Sequence, residues 1–318
     1  MLQIHLSVLE GGLQTTLQDL GRTTGRRYGI PPGGALDRAA HLAANRLVLN
    51  QPQAATLEIT LQGPRLLFET SALIAITGAD FGPMLDGRPI PMWLSVFVRA
   101  GQTLEWSGDS IPRMVEPKRN WGRVCYLSLH GGFAGPQLLG SRATYLKAKL
   151  SGYNGLGRVL QTGDTLNNTD EVLRPFRHLA EGAGRTFPEV ERPAYREVVK
   201  LGLIPGPYEE SFSEEAYHLL FSESFTLLQA SDRMGFRLKG PLLPHRSPEL
   251  AEIASCATVF GAVQVPLDGQ PIVLMADHQV TGGYPITGTI ISSDLPLLAQ
   301  LLPGGKVSFH PLSPVNWS

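Results

Sequence analysis

Two hexapeptides decide how the chain reads: Leu85-Asp86-Gly87-Arg88-Pro89-Ile90 (LDGRPI) and Leu267-Asp268-Gly269-Gln270-Pro271-Ile272 (LDGQPI). Working outward from them, two shorter strings recur in the same order. Leu61-Gln62-Gly63-Pro64 matches Leu238-Lys239-Gly240-Pro241, and Gly101-Gln102-Thr103-Leu104 matches Gly305-Lys306-Val307-Ser308. The first two pairs recur at nearly equal offsets; the third lies further apart, which implies an insertion. Single strings of this kind arise by chance among turns, but LDG-x-PI is long for a coincidence, and the set reads as an internal duplication. The chain is therefore expected to hold two related β domains, residues 1–195 and 196–318. The polar, aperiodic stretch 167–193 reads as their connection.

Composition agrees with that division. A chain of 318 residues exceeds what one hydrophobic core commonly holds. Its 35 Gly and 25 Pro are too many for a helical bundle and suit short strands joined by turns. Strand-like runs recur at 56–68, 72–77, 93–98, 124–129, 198–205, 234–238, 271–275 and 306–310. Three helices are expected: 36–48 with Asp37 as cap, one opened by Ser213, and one opened by Asp294. The predicted fold is mainly β with a few short helices.

Apolar residues make up 42% and charged residues only 17%, a low charge content that fits a surface partly covered by a partner. A net charge of −1 points to neither a nucleic-acid partner nor a membrane surface. No apolar run approaches the roughly 18 residues that span a bilayer. The opening residues do not read as a signal peptide, so a cytoplasmic location is expected. Cys125 and Cys256 sit in apolar surroundings and read as buried thiols.

Three segments carry candidate chemistry. The first, residues 18–37, sets Asp19 and Arg22 among glycines, with Arg26 and Arg27 following. Glycines admit close backbone approach and arginines grip anions, although on pattern alone the favoured reading is a solvated turn-rich loop. In the second, alternation from 233 to 239 places Arg233, Arg237 and Lys239 on one strand face, an anion site if it lines a groove and otherwise an exposed basic face. The third joins Gln264 to the run Asp277, His278, Gln279, Val280, Thr281, Gly282, Gly283 and Tyr284, delivered by an apolar strand into a Gly-Gly loop. Rigid strand ends carrying hydrogen-bonding groups are how sites are commonly built. Asp277 is the preferred general base and His278 the alternative. The sequence has no P-loop, no biotinyl-lysine string, no zinc-ligand spacing, so no metal site, and no nucleophile elbow.

Across nearly its whole length the chain resembles the AHS2-type proteins: the C-type component of 5-oxoprolinase, the kinase-inhibitor antagonist KipA, and half of the carboxyltransferase region of urea carboxylase. The strings that carry this are LQDLGR (17–22), GALD (34–37), LEITLQGP (57–64), YLSLHGGF (126–133), LGSRAT (139–144), SDRMGFRLKG (231–240), VQVPLDGQPIVLMAD (263–277) and TGGYP (281–285). The resemblance implies two cyclophilin-like β-barrel domains. It implies two partners in a 5-oxoprolinase hetero-oligomer, a KipI-like B-type component and a LamB/YcsF-like A-type component. It further implies ATP-dependent opening of 5-oxoproline to glutamate by the complex. Under the resemblance, Arg233 and Arg237 would hold phosphate or carboxylate, and Asp277 or His278 would direct water. The resemblance leaves two alternatives behind this leading reading: a biotin-dependent, urea carboxylase-type carboxyltransferase, and non-catalytic binding of a kinase inhibitor. The chain departs from the family pattern at Val280, where threonine is usual, and at Leu129-His130, where small residues are usual.

Overall fold

The computed structural model describes residues 3–106 and 122–312. It divides into two compact units. Met1–Thr23 and Gly33–Tyr195 form the first; Arg196–Ser318 forms the second and takes in the excursion Thr24–Pro32.

The first unit is built from two antiparallel sheets. One has six strands in the order Thr165–Asn167, His5–Glu10, Arg65–Phe68, Thr103–Trp106, Pro83–Leu85 and Arg88–Pro89. The other has five, in the order Gln14–Gln18, Thr56–Thr60, Val124–Leu129, Ala72–Gly78 and Ser95–Val98. Every residue of Val124–Leu129 and of Ala72–Gly78 is buried. Leu6, Phe68, Leu73, Ile76 and Leu127 belong to one core cluster, and each such side chain stabilises the fold by roughly 1.5–3 kcal/mol relative to exposure. The helix Arg38–Leu47 lies against this sheet and is capped as predicted, with Asp37 Oδ1 accepting from the Ala40 N–H at 2.9 Å.

The second unit is a closed barrel. Its strands run Val198–Pro205, Ile286–Ile290, Ala262–Gln264, Ile272–Leu274, Gly235–Lys239, Ser224–Leu227 and Lys306–Pro311, and the last pairs in parallel with the first. Closure leaves no open sheet edge in the barrel. Phe225, Phe236, Val263, Val273 and Phe309 are buried in it. Ser213 caps the helix Glu214–Ser222, its hydroxyl accepting from the Ala216 N–H at 3.1 Å.

The mainly β expectation holds, and so do the bounds of Val124–Leu129 and Val198–Pro205. Both hexapeptides sit at strand-to-strand turns: LDGRPI joins Pro83–Leu85 to Arg88–Pro89, and LDGQPI lies between Ala262–Gln264 and Ile272–Leu274. Other expectations need correction. The run 56–68 is two strands, broken where Leu61 takes a left-handed φ of 59°. The helix expected from Asp294 does open there but is short, Leu295–Ala299, and the Asp294 Oδ2 accepts from the Gly202 N–H at 2.7 Å. The stretch 167–193 is folded onto the first unit, with Leu179 in the core and Ser95 Oγ donating to the Gly182 carbonyl at 2.7 Å. Cys256 is half-buried rather than buried, and both thiols are free.

Candidate functional site

The apolar strand Ile272–Leu274 sits centrally in the barrel, between Ala262–Gln264 and Gly235–Lys239. It ends at Met275, Ala276, Asp277 and His278, all buried. Beyond them the chain turns back through Thr281–Gly282, which pairs with Cys256–Ala257. That short ladder holds the loop against Thr258.

Asp277 is not a free base. Its two carboxylate oxygens are held by Arg233 Nε at 2.9 Å and Nη2 at 3.0 Å. Its N–H also donates to the Arg233 carbonyl at 2.7 Å. Water reaches little of either side chain, which are 10% and 6% exposed. Arg233 therefore lies before the strand Gly235–Lys239, outside the exposed basic face assigned to it, because a carboxylate 44 residues away in sequence captures it. Arg237 remains on that strand with an exposed side chain, as does Lys239. The predicted trio of cations is thus reduced to two.

The remaining loop groups converge. His278 is 1% exposed, and its Nδ1 lies 2.6 Å from the Gln279 carbonyl and 3.1 Å from Thr258 Oγ1. The carbonyl contact requires the proton on Nδ1, which puts the ring's basic lone pair on Nε2. The Thr258 hydroxyl donates to the same carbonyl. Gln279 Nε2 donates to Gln264 Oε1 at 3.1 Å, and Gln264 Nε2 contacts the Tyr284 carbonyl at 3.4 Å. Gly282 closes the arrangement, since a Cβ there would come 2.7 Å from Gln264 Nε2 and 3.2 Å from Gln279 Nε2. Gly283 is less constrained: its Cβ would lie 3.3 Å from the Ile253 carbonyl oxygen. Thr281 and Tyr284 are exposed beside this layer.

One further contributor comes from the first candidate segment, in which sequence pattern assigns it no individual role. Arg26, on the excursion Thr24–Pro32, donates through Nη2 to the Thr258 carbonyl. It thereby backs the residue that holds His278 and Gln279. The two other early candidates lie elsewhere, in the first unit. Asp19 accepts from the Gly21 N–H at 2.8 Å, Ser141 Oγ at 2.7 Å and the Arg142 N–H at 2.6 Å. Arg22 is 1% exposed and donates to the Ala143 carbonyl. Both tie turns of the first unit together, and neither joins the loop layer. Glycine spacing showed that the segment turns, but not that its arginines divide between two units.

The arrangement in the second unit is one buried and one half-buried carboxamide beside a buried imidazole of fixed tautomer, edged by exposed hydroxyls. It can present donors and acceptors to a small amide. Among the described residues no cluster of His, Cys, Asp or Glu could hold a metal ion, and no helix is long and apolar enough to cross a membrane.

Residues 28–311 match the family model of the carboxyltransferase domain, subdomains A and B. The chain is 36% identical to the C component of Haemophilus influenzae 5-oxoprolinase, over 97% of this chain and 91% of that protein. It is 34% identical to the C component of Escherichia coli 5-oxoprolinase, over 96% of this chain and 90% of that protein. It superposes on the crystal structure of the Kluyveromyces lactis urea amidolyase with a TM-score of 0.85 at 29% identity, covering 97% of this chain but 19% of that one.

Proposed function

Because the chain belongs to the family of carboxyltransferase domains, subdomains A and B, we propose that it is the C component of an ATP-dependent 5-oxoprolinase. The observation that carries this reading is the end-to-end match: 36% identity over 91% of a relative that bears the name. The urea amidolyase match, by contrast, covers 19% of a much longer chain. That likeness supports a second reading, a carboxyltransferase component that works with a biotin carrier on another chain.

Hydrolysis of an unstrained lactam needs its oxygen turned into a leaving group. Phosphoryl transfer from ATP to that oxygen makes the carbonyl carbon electrophilic. Water then adds, the C–N bond breaks as nitrogen takes a proton, and a second water releases phosphate from the acyl phosphate to give glutamate. In this proposal the loop layer binds the amide. Gln264 and Gln279 match a lactam's donor and acceptor. His278 accepts the proton of water through Nε2, replacing Asp277, whose oxygens are held by Arg233. The loop does not fit a triphosphate: Arg26, the guanidinium that backs it, already serves the Thr258 carbonyl. In this proposal ATP is therefore assigned to the A-type and B-type partners.

Two outcomes test the reading. The purified chain should form a complex with a B-type homologue that survives size-exclusion chromatography; separate elution of the two would count against it. Gly282→Ala should push Gln264 and Gln279 out of place while leaving that complex intact. Misplacement on the ångström scale costs on the order of 100-fold in rate, so kcat of the assembled enzyme should fall at least about tenfold. An unchanged kcat would remove the loop from the site.

A further inference from the structure

A cleft of about 460 Å³ opens in the first unit, between the turn at His130–Gly131 and residues 168–177. That size falls in the range of small-molecule sites, roughly 300–1,000 Å³. Nothing in the lactam-opening scheme uses it, and it belongs to a different unit from the loop layer.

Its chemistry is specific. His130 follows the buried strand Val124–Leu129 and is 6% exposed. Its Nδ1–H donates to the Val48 carbonyl at 2.7 Å, so the acceptor the ring offers is Nε2. The imidazole packs on Phe176 with ring centroids 5.0 Å apart, and burial lowers its pKa, which keeps it neutral at pH 7. The wall beside it is rigid. Gly131 donates to Asn50 Oδ1 at 2.8 Å, and its carbonyl accepts from the Thr169 hydroxyl and from the Glu171 N–H at 3.1 Å. Gly131 has a φ of 95°, and a Cβ there would stand 2.2 Å from the Thr169 carbonyl oxygen. Asp170 and Arg177, of opposite charge, are exposed among the lining residues.

We propose that this cleft binds a small ligand of the amino-acid type. Arg177 takes its carboxylate, Nε2 of His130 and the Asp170 carboxylate take its N–H groups, and Val172 and Phe176 cover its carbon skeleton. A simple dicarboxylate satisfies Arg177 but sets a like charge against Asp170 and brings no donor to Nε2. A simple cation reverses the mismatch. Only a molecule with both groups matches the lining. Glutamate and 5-oxoproline share this chemistry, one with an ammonium and the other with a lactam N–H.

Calorimetric titration of the full chain with L-glutamate, 5-oxoproline and glutarate tests the site. At least one of the first two should bind, and glutarate should bind at least about tenfold more weakly. Hydrogen bonds to charged groups carry enough energy for a loss of roughly 10- to 100-fold, so Arg177→Gln, at an exposed position, should weaken binding by that much without lowering Tm. His130→Asn keeps a donor for the Val48 carbonyl but removes Nε2, and should also weaken binding. Asp170→Asn separates the sources: loss confined to glutamate marks the ammonium, and loss confined to 5-oxoproline marks the lactam. The site is overturned if neither nitrogen-bearing ligand binds, if glutarate binds as tightly, or if Arg177→Gln leaves the affinity unchanged. None of these readouts needs turnover, so an inactive complex would leave this result standing, and an active complex would not rescue it.

Discussion

Arg233→Gln is expected to destabilise the second unit by about 3–5 kcal/mol, because it leaves the Asp277 carboxylate buried without its counter-charge. An exposed arginine would cost little when removed. The geometry excludes that case: both oxygens of Asp277 face the guanidinium, at 2.9 and 3.0 Å. Asp277→Leu alone should also destabilise, since it removes the carboxylate that the guanidinium holds through Nε and Nη2. Replacing both partners together, Arg233→Met with Asp277→Leu, should recover much of the loss, because a buried ion pair exchanged for apolar groups of similar volume is often close to neutral. Denaturant unfolding of the wild type, the two single variants and the double variant gives the coupling. If Arg233→Gln leaves the unfolding midpoint where it was, the pair is not a structural clamp.

The second large effect is an acid weakness of the first unit. His41, on the helix Arg38–Leu47, is fully buried, and burial drives its pKa down from 6.5 to about 4. Its Nε2–H donates to the Pro52 carbonyl at 3.1 Å, and its Nδ1 accepts from Thr56 Oγ1 at 2.9 Å. Above pH 6.5 the imidazole is neutral folded or unfolded and contributes no pH dependence. Between 6.5 and about 4 the unfolded chain takes up a proton and the folded one does not, so stability falls as pH falls. At about 1.36 kcal/mol per pKa unit, the full loss is roughly 3 kcal/mol. Unfolding free energies at about pH 7 and about pH 4.5 should therefore differ more for the wild type than for His41→Gln, which has no titratable ring. Equal differences in the two proteins would show that His41 is not the cause.

Some of this was open to reading in the sequence and some was not, for physical reasons. Val124–Leu129 and Val198–Pro205 announce themselves because burial demands apolar side chains along them. Gln14–Gln18 does not, because its Thr15, Thr16 and Gln18 side chains are buried polar groups, and Gln18 Nε2 bonds to the Thr144 carbonyl at 3.2 Å. A strand whose buried side chains are polar carries no hydrophobic period. The same limit applies at the site. The residue types at 277–284 identify a loop that handles protons and hydrogen bonds, yet the role of Asp277 depends on Arg233, which approaches only when two barrel strands pair. Arg26 reaches Thr258 from 232 residues away in sequence, and no local pattern records that.

The proposed function makes this chain an obligate part of a lactam-opening enzyme. The most direct measurement is glutamate and ADP formation from 5-oxoproline and ATP by mixtures of the A-type and B-type homologues, with and without this chain. Glutamate and ADP should appear together only when all three proteins are present, and this chain alone should give neither. Equal turnover without it, or substantial turnover by it alone, would contradict the claim.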